Sequence, residues 1–304
     1  MSSLMLSIDD FKPIELKDKT IFERHYEKYP PTHSDNVFTT FISWKDYGKY
    51  KYTFKENNLI IMSNIGNQIR FRPPSGRYNK NVYNQVLQLA KKQNSKYPFG
   101  VIDKKTKEWL LKNYPKLKVT PHRDFFDYIY VASDLAELSG SSYRKIRNRL
   151  NKFKKNHKYS LSKISKDNIK MVKKFLNRWC LWRDCESDSL LEAEKKAILY
   201  SISHFFKLKL SGIAITINNN IEAISVYEKL NQDTAVVHYE KGSPDYDGIY
   251  KAINQETAKI IQKNYKFINR EPDMGIPGLR KAKLSYRPHH MIKVFHINKK
   301  NIIL

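Results

Sequence analysis

The chain is short of the residues that build covalent or metal-held frameworks. Its two cysteines, Cys180 and Cys185, stand five apart with no second pair, which excludes a disulfide framework and a cysteine-rich zinc site. His289 and His290 have no carboxylate beside them in sequence, so no metal is expected. Long apolar runs are missing too. The longest uncharged stretches, near 57–69 and 210–221, carry Asn and Ser and fall short of a membrane span. The first residues hold Asp9 and Asp10 where a secretory leader would be basic and then apolar. These absences lead us to expect a soluble, cytoplasmic protein.

What the chain has in excess is positive charge. Among 304 residues, 56 Lys and Arg face 30 Asp and Glu, a net charge of +26. With 40% hydrophobic and 13% aromatic residues it still has the means to fill sizeable cores, and its 20 Tyr and 15 Phe favour half-buried strands. Its length suits two domains, or one built twice.

The excess is segmental. Residues 138–166 hold ten basic residues and no acid, among them Arg144, Lys145, Arg147, Arg149 and Lys152. Residues 274–304 hold seven basic residues and again no acid. Tyr143, Ile146, Leu150 and Phe153 recur at helical spacing, so one stripe of the first segment packs inward and the other faces are cationic. Such a helix is either a solvated charged face or a track for phosphates, of RNA or of an anionic lipid surface.

Periodicity and turn residues predict strands at 37–44, 50–56, 59–64, 68–72, 99–103 and 125–131 in the first half, with helices over 9–29, 78–93, 104–114 and 133–138. After a basic helix, 141–157, the second half reads as strand 159–164, helices 167–182 and 190–207, strands 210–217, 221–229 and 234–241, helix 249–264, strand 266–269, a short helix 279–284 and strand 291–297. That is the element order of the GNAT acyltransferase fold, and the first half repeats its middle. The expected fold class is therefore α+β, as tandem GNAT-like domains, each a mixed, mainly antiparallel sheet flanked by helices. The expected division is 1–140, a basic connecting helix 141–158, and 159–304.

The motifs are more specific than the order. His238-Tyr239-Glu240-Lys241-Gly242, the run from Tyr246 to Asn254, and the run from Ile268 through Asn269-Arg270-Glu271-Pro272-Asp273 to Arg287-Pro288 resemble one family. Phe125 to Tyr130 and Tyr143 to Phe153 extend the likeness upstream. The chain is similar to the family named for the C-terminal domain of phosphatidylglycerol lysyltransferase, in a free-standing form. The resemblance implies a tandem GNAT fold and an aminoacyl-tRNA-dependent transferase, in which an amino acid leaves its tRNA ester for an acceptor, in the named enzymes a glycerol hydroxyl of phosphatidylglycerol. Aminoacyl-tRNA is then the donor, no cofactor is required, and an anionic phospholipid at the inner membrane face is a candidate partner. We expect no membrane module like that of the lipid-modifying enzymes, which leaves the acceptor open among a lipid, a peptide or protein N-terminus and a small molecule. The alternatives are a CoA-dependent GNAT acyltransferase and a non-catalytic RNA- or membrane-binding module on the same fold.

An activated ester asks for alignment, oxyanion stabilisation and proton movement. Lys283, two residues after which comes no aromatic but three after which comes Tyr286 and then Pro288, matches the family's Lys-x-x-aromatic-x-Pro pattern. It is the candidate cation for the oxyanion or a terminal phosphate, against the alternative of a surface lysine in a basic tail. Glu240 is the candidate base or ammonium ligand, with Tyr239 and Asn254 beside the substrate. Glu271 and Asp273 are candidates for the α-ammonium or a basic side chain, and Arg270 and Arg280 for a phosphate, with Tyr286 lining the site. The alternative for this loop is a local Arg–carboxylate network. Strand alternation would put His238 and Glu240 on one face and Tyr239 on the other, with His238 an ordinary core residue. Gly248 is either a helix cap or a phosphate turn. None of the ten glycines forms the Arg/Gln-x-x-Gly-x-Gly/Ala loop of acetyl-CoA enzymes, which counts against acetyl-CoA as the alternative donor. Trp179, Cys180, Trp182 and Cys185 read as a packed corner.

Overall fold

The structure, a computed structural model, describes residues 5–185 and 188–303. The chain divides into two compact units, Met1–Phe126 with Ile292–Leu304, and Asp127–Met291. Each is built on a mixed seven-stranded sheet flanked by helices, the tandem GNAT-like arrangement expected.

In the first unit the sheet runs Lys12–Pro13, Lys51–Lys55, Asn58–Ile65, Gln68–Phe71, Phe99–Ile102, Phe295–Ile297, Val119–Pro121. Turns at Glu56–Asn57 and Gly66–Asn67, where all four residues have positive φ, close its hairpins. One face is filled by helices Lys80–Lys92 and Lys104–Asn113, whose Val82, Val86, Leu87 and Leu110 pack with Phe71, Phe99 and Ile297.

In the second unit the order is His290–Ile292, Asp127–Val131, Phe267–Asn269, Thr234–Gly242, Asn220–Lys229, Ser211–Ile217, Ser160–Lys163. Its core holds Tyr128 and Tyr130, the inward stripe of helix Arg144–Asn156 (Ile146, Leu150, Phe153) and Ile249, Ala252 and Ile253 of helix Ile249–Ile261. The stripe read from helical spacing is thus the one that is buried.

Four expectations are corrected. The units do not divide at 140/141 or 158/159. Strand Asp127–Val131 pairs with Phe267–Asn269, Tyr130 opposite Ile268, so it and the basic helix belong to the second unit. The single closing strand is two: His290–Ile292 joins the second sheet, while Phe295–Ile297 inserts between Phe99–Ile102 and Val119–Pro121 in the first. The strand expected at 37–44 is helix Phe38–Ser43. Its Phe38, Thr39, Phe41, Ile42 and Ser43 are all buried, so no polar face remains to mark a period, and Phe38 and Phe41 close around Phe22 at 5.1 and 6.2 Å. The helix expected over 9–29 is reduced to Lys19–Lys28 after two short turns.

Candidate active site

The second sheet opens where the motif residues lie. Strand Thr234–Gly242 runs parallel to Phe267–Asn269 and pairs with it only through Thr234, Ala235 and Val236. Beyond Val236 two side-chain pairs cross the opening in place of the backbone ladder: Glu240 with Arg270, and His238 with Glu271.

Glu240 accepts from Asn254 Nδ2 at 3.0 Å on one oxygen and from Arg270 Nη2 on the other. The Arg270 guanidinium lies 4.8 Å from the Tyr286 ring centre and 5.7 Å from that of Tyr130. Burial opposes its charge, and Glu240 outweighs burial, holding Arg270 above its ordinary range. Lys283, on helix Pro277–Ser285, is 8% exposed. Its Nζ donates to the main-chain carbonyl of Arg270 and, at 3.2 Å, to that of Glu271. Burial, then the Arg270 charge, push Lys283 down to about 8.

A second lysine joins it that sequence reasoning gave no role. Lys251 sits over the Tyr286 ring, Nζ 4.7 Å from its centre, and burial with the Arg270 and Arg149 charges lowers it to about 8. It lies three residues before Asn254 and so on the same face of helix Ile249–Ile261, the one signal that pointed to it.

His238 is not an ordinary core histidine. Its side chain is 3% exposed, with Nε2 at 2.8 Å from Glu228 and Nδ1 at 2.7 Å from Glu271. Burial disfavours its charge, but the hydrogen bonds to Glu228 and Glu271 prevail and raise it to about 10, so it is an imidazolium at neutral pH. The expected alternation also fails. Val226 pairs with Tyr239 and Glu228 with Val236, so Val236 and Tyr239 share a face although they stand three positions apart. This bulge lets His238 reach Glu228, while Tyr239 points to Ser201 of helix Ser189–Ser203 and Glu240 to Asn254 on the opposite side. Tyr239 therefore stands apart from the other candidates.

Asp273 and Arg280 take the loop-fixing role. Asp273 is fully buried and receives the Arg280 fork at 2.9 and 2.7 Å, the Tyr128 hydroxyl at 2.6 Å and the Gly275 amide. Among the described residues, Asn254 Oδ1, Arg270 Nη1 and Ser225 Oγ are buried without a hydrogen-bond partner, and Ser225 lies directly across from Glu240.

On the basic helix, Arg147 holds the carbonyls of Leu138 and Gly140, and Arg149 pairs with Asp247. Arg144, Lys145 and Lys152 are exposed. Gly248, at φ +91, ends a close approach: a Cβ there would stand 2.8 Å from the Arg149 carbonyl oxygen and 2.9 Å from Phe153 Cβ. Packing and capping account for this glycine. Cys180 and Cys185 are free, buried and 2.6 Å apart at sulfur. No group of three or more His, Cys, Asp or Glu side chains among the described residues is placed to hold a metal ion. No helix among them is long and apolar enough to cross a membrane.

Comparison with known proteins follows the same lines. The family model for phosphatidylglycerol lysyltransferase, C-terminal, matches residues 26–298. A conserved protein of unknown function from Bacteroides thetaiotaomicron has a solved structure that is 30% identical, with a TM-score of 0.87 over 95% of this chain and 98% of that one. The C-terminal domain of a putative lysylphosphatidylglycerol synthetase from Agrobacterium fabrum, 12% identical, shares the fold with a TM-score of 0.63 over 95% of each chain. An uncharacterized protein of Mycoplasmoides gallisepticum is 28% identical over 191 residues, which spans 61% of this chain and 59% of that relative, less than two thirds of its length.

Proposed function

This chain belongs to the phosphatidylglycerol lysyltransferase C-terminal family, and from that premise we propose that it is an aminoacyl-tRNA-dependent transferase. Family and fold support a GNAT-like transferase; the donor and the acceptor, such as a glycerol hydroxyl of phosphatidylglycerol, are our reading. The observation that carries it is the buried Lys283 at the strand opening, its ammonium tied to two carbonyls and, among the described residues, to no carboxylate. The acceptor atom attacks the ester carbonyl, and a tetrahedral oxyanion forms. Collapse breaks the bond to the ribose oxygen, which takes up a proton as the acceptor loses one. Lys283 faces the charge that develops on the oxyanion, where a preorganised cation acts most strongly. Lys251, held at about 8, is suited to carry the proton. Glu240 is spent on Arg270 and Asn254, so its part is to hold them in place, and the role of base passes from it.

Incubation with a full set of labelled aminoacyl-tRNAs and a lipid extract tests the reading. Label in the lipid fraction is expected, whereas no transfer from any donor by well-folded protein overturns it. Tight binding of coenzyme A together with acyl transfer from its thioester would replace it by the CoA-dependent alternative.

The basic helix gives a separate test. If Arg144, Lys145 and Lys152 each neutralise one tRNA phosphate, log affinity should fall with log salt more steeply by about 2–3 than in a variant with all three replaced by Gln. An unchanged slope removes the helix from the donor-binding surface.

A further inference from the structure

Lys283 can meet an oxyanion only while no carboxylate neutralises it, and Glu271 brings a carboxylate into its field. Glu271 serves two cations with different atoms. Its main-chain carbonyl accepts from Lys283 Nζ at 3.2 Å, while its carboxylate accepts from His238 Nδ1 at 2.7 Å. The backbone there is left-handed, at φ +58, which is uncommon for a residue with a Cβ. It is fixed from below: the Glu271 amide donates to Asn269 Oδ1 at 2.8 Å, and the buried Asn269 donates to the buried Asp127 at 2.6 Å. His238 is fixed from its other nitrogen, where the strand bulge brings Glu228 to Nε2 at 2.8 Å. An imidazolium that gives both N–H groups to carboxylates, with its side chain 3% exposed, is held in one orientation.

We infer that His238 is a positioning residue for Lys283: it holds the Glu271 carboxylate, so that Lys283 meets only the Glu271 carbonyl and its ammonium stays open to an oxyanion. This rests on the proposed reading of Lys283 as the cation of the transfer. The charges accord with it. Burial pushes Glu271 up, and His238 first, then Lys283, pull against it, so two cations contest one carboxylate. The groups facing Lys283 are Arg270, Glu271, Glu240 and Asp127, with the Tyr128 ring centre 5.8 Å from Nζ; those facing His238 are Glu228 and Glu271. Without the imidazolium, the released carboxylate would pair with Lys283, raise its proton affinity and quench the charge offered to the substrate.

An NMR titration of the full chain, labelled with carbon-13 at lysine Cε, reads this without any substrate. Loss of one signal in Lys283→Met assigns it. In His238→Gln the Lys283 midpoint should rise from about 8 by about 1–3 units, the usual effect of a new carboxylate partner. An unchanged or lowered midpoint in folded protein overturns the inference. Glu271→Gln keeps an acceptor for His238 and removes the carboxylate, so adding His238→Gln to it should not move the midpoint. A rise of about 1 unit or more in that background would mean that His238 acts through its own charge, and would overturn the positioning role. If His238→Gln does not fold, histidine nitrogen-15 shifts of the unaltered chain decide. His238 should stay protonated on both nitrogens until the pH nears about 10, and a neutral ring at pH 8 overturns the inference. In the transfer assay at neutral pH, His238→Gln should lower kcat with KM little changed. The two ideas fail separately. The midpoint shift in a protein that transfers nothing would leave the positioning role and sink the transferase reading, while transfer by the unaltered chain with an unmoved midpoint in the variant would do the reverse.

Discussion

A Lys283→Met variant is expected to lose about 10²–10³-fold in aminoacyl transfer while remaining folded. The activity estimate is the usual effect of removing one preorganised group that meets a developing oxyanion. The stability estimate follows from two opposed quantities. Removing Nζ leaves the carbonyls of Arg270 and Glu271 without their donor, at about 1–3 kcal/mol each for fully buried groups. Against this, a shift from 10.5 to about 8 means that the charged form is penalised by roughly 3 kcal/mol in the fold. The two nearly cancel, so unfolding free energy should move by no more than about 2 kcal/mol in either direction. A global loss of structure would make Lys283 a structural residue and dismiss its catalytic role. Lys281, exposed on the same helix, is the control, and Lys281→Ala should leave transfer unchanged.

The same shift fixes a pH dependence. Lys283 binds its proton less tightly in the fold than in the unfolded chain, so between pH 8 and 10.5 the unfolded chain carries more protons. Its contribution is a constant penalty below about pH 8 that is relieved as pH rises across that window. Lys283→Met should lack this rise in urea-unfolding experiments. Transfer should fall as pH passes about 8 and the cation is lost, and in Lys283→Arg, whose charge persists, that limb should move to higher pH.

Much of this was legible in the sequence because it was periodic or local. Tyr143, Ile146, Leu150 and Phe153 announce a helix face by spacing, and Lys283, Tyr286 and Pro288 are close enough to be read as one motif. What was not legible depends on partners far away in the chain. Asp127–Val131 has the composition of any half-buried strand, and only its pairing with Phe267–Asn269 assigns it to the second unit. The closing strand splits because residues 293 and 294 lie between two sheets' worth of pairing, which alternation along the chain cannot reveal. The bulge at His238 is a mismatch between two strands, invisible in either alone. Lys251 gains its low proton affinity from burial and from the charges of Arg270 and Arg149, which follow and precede it by many residues and meet it only in the fold.

The Glu240–Arg270 pair should dominate the stability of the opening. Glu240 and Arg270 are 10% and 16% exposed at their side chains, and Arg270 has one guanidinium nitrogen with no partner already. Glu240→Ala therefore strands a buried cation, and about 3–5 kcal/mol of unfolding free energy should be lost in urea titration. Replacing both residues by Met removes the stranded charge as well as its partner, and a buried pair exchanged for apolar groups of similar size is often neutral. The double variant should then regain most of what the single one lost, a coupling of several kcal/mol between the two sites. A loss below about 1 kcal/mol in Glu240→Ala would mean that water screens the pair and that it does not organise the site. Transfer separates the two roles in another way. Glu240→Gln keeps an acceptor for Arg270 and a neighbour for Asn254, so a group that only positions Arg270 should retain much of its activity in that variant, with the pH profile still set by Lys283. If Glu240 were the base, Glu240→Gln would instead lose transfer as completely as Glu240→Ala, at every pH, and the limb assigned to Lys283 would vanish with it.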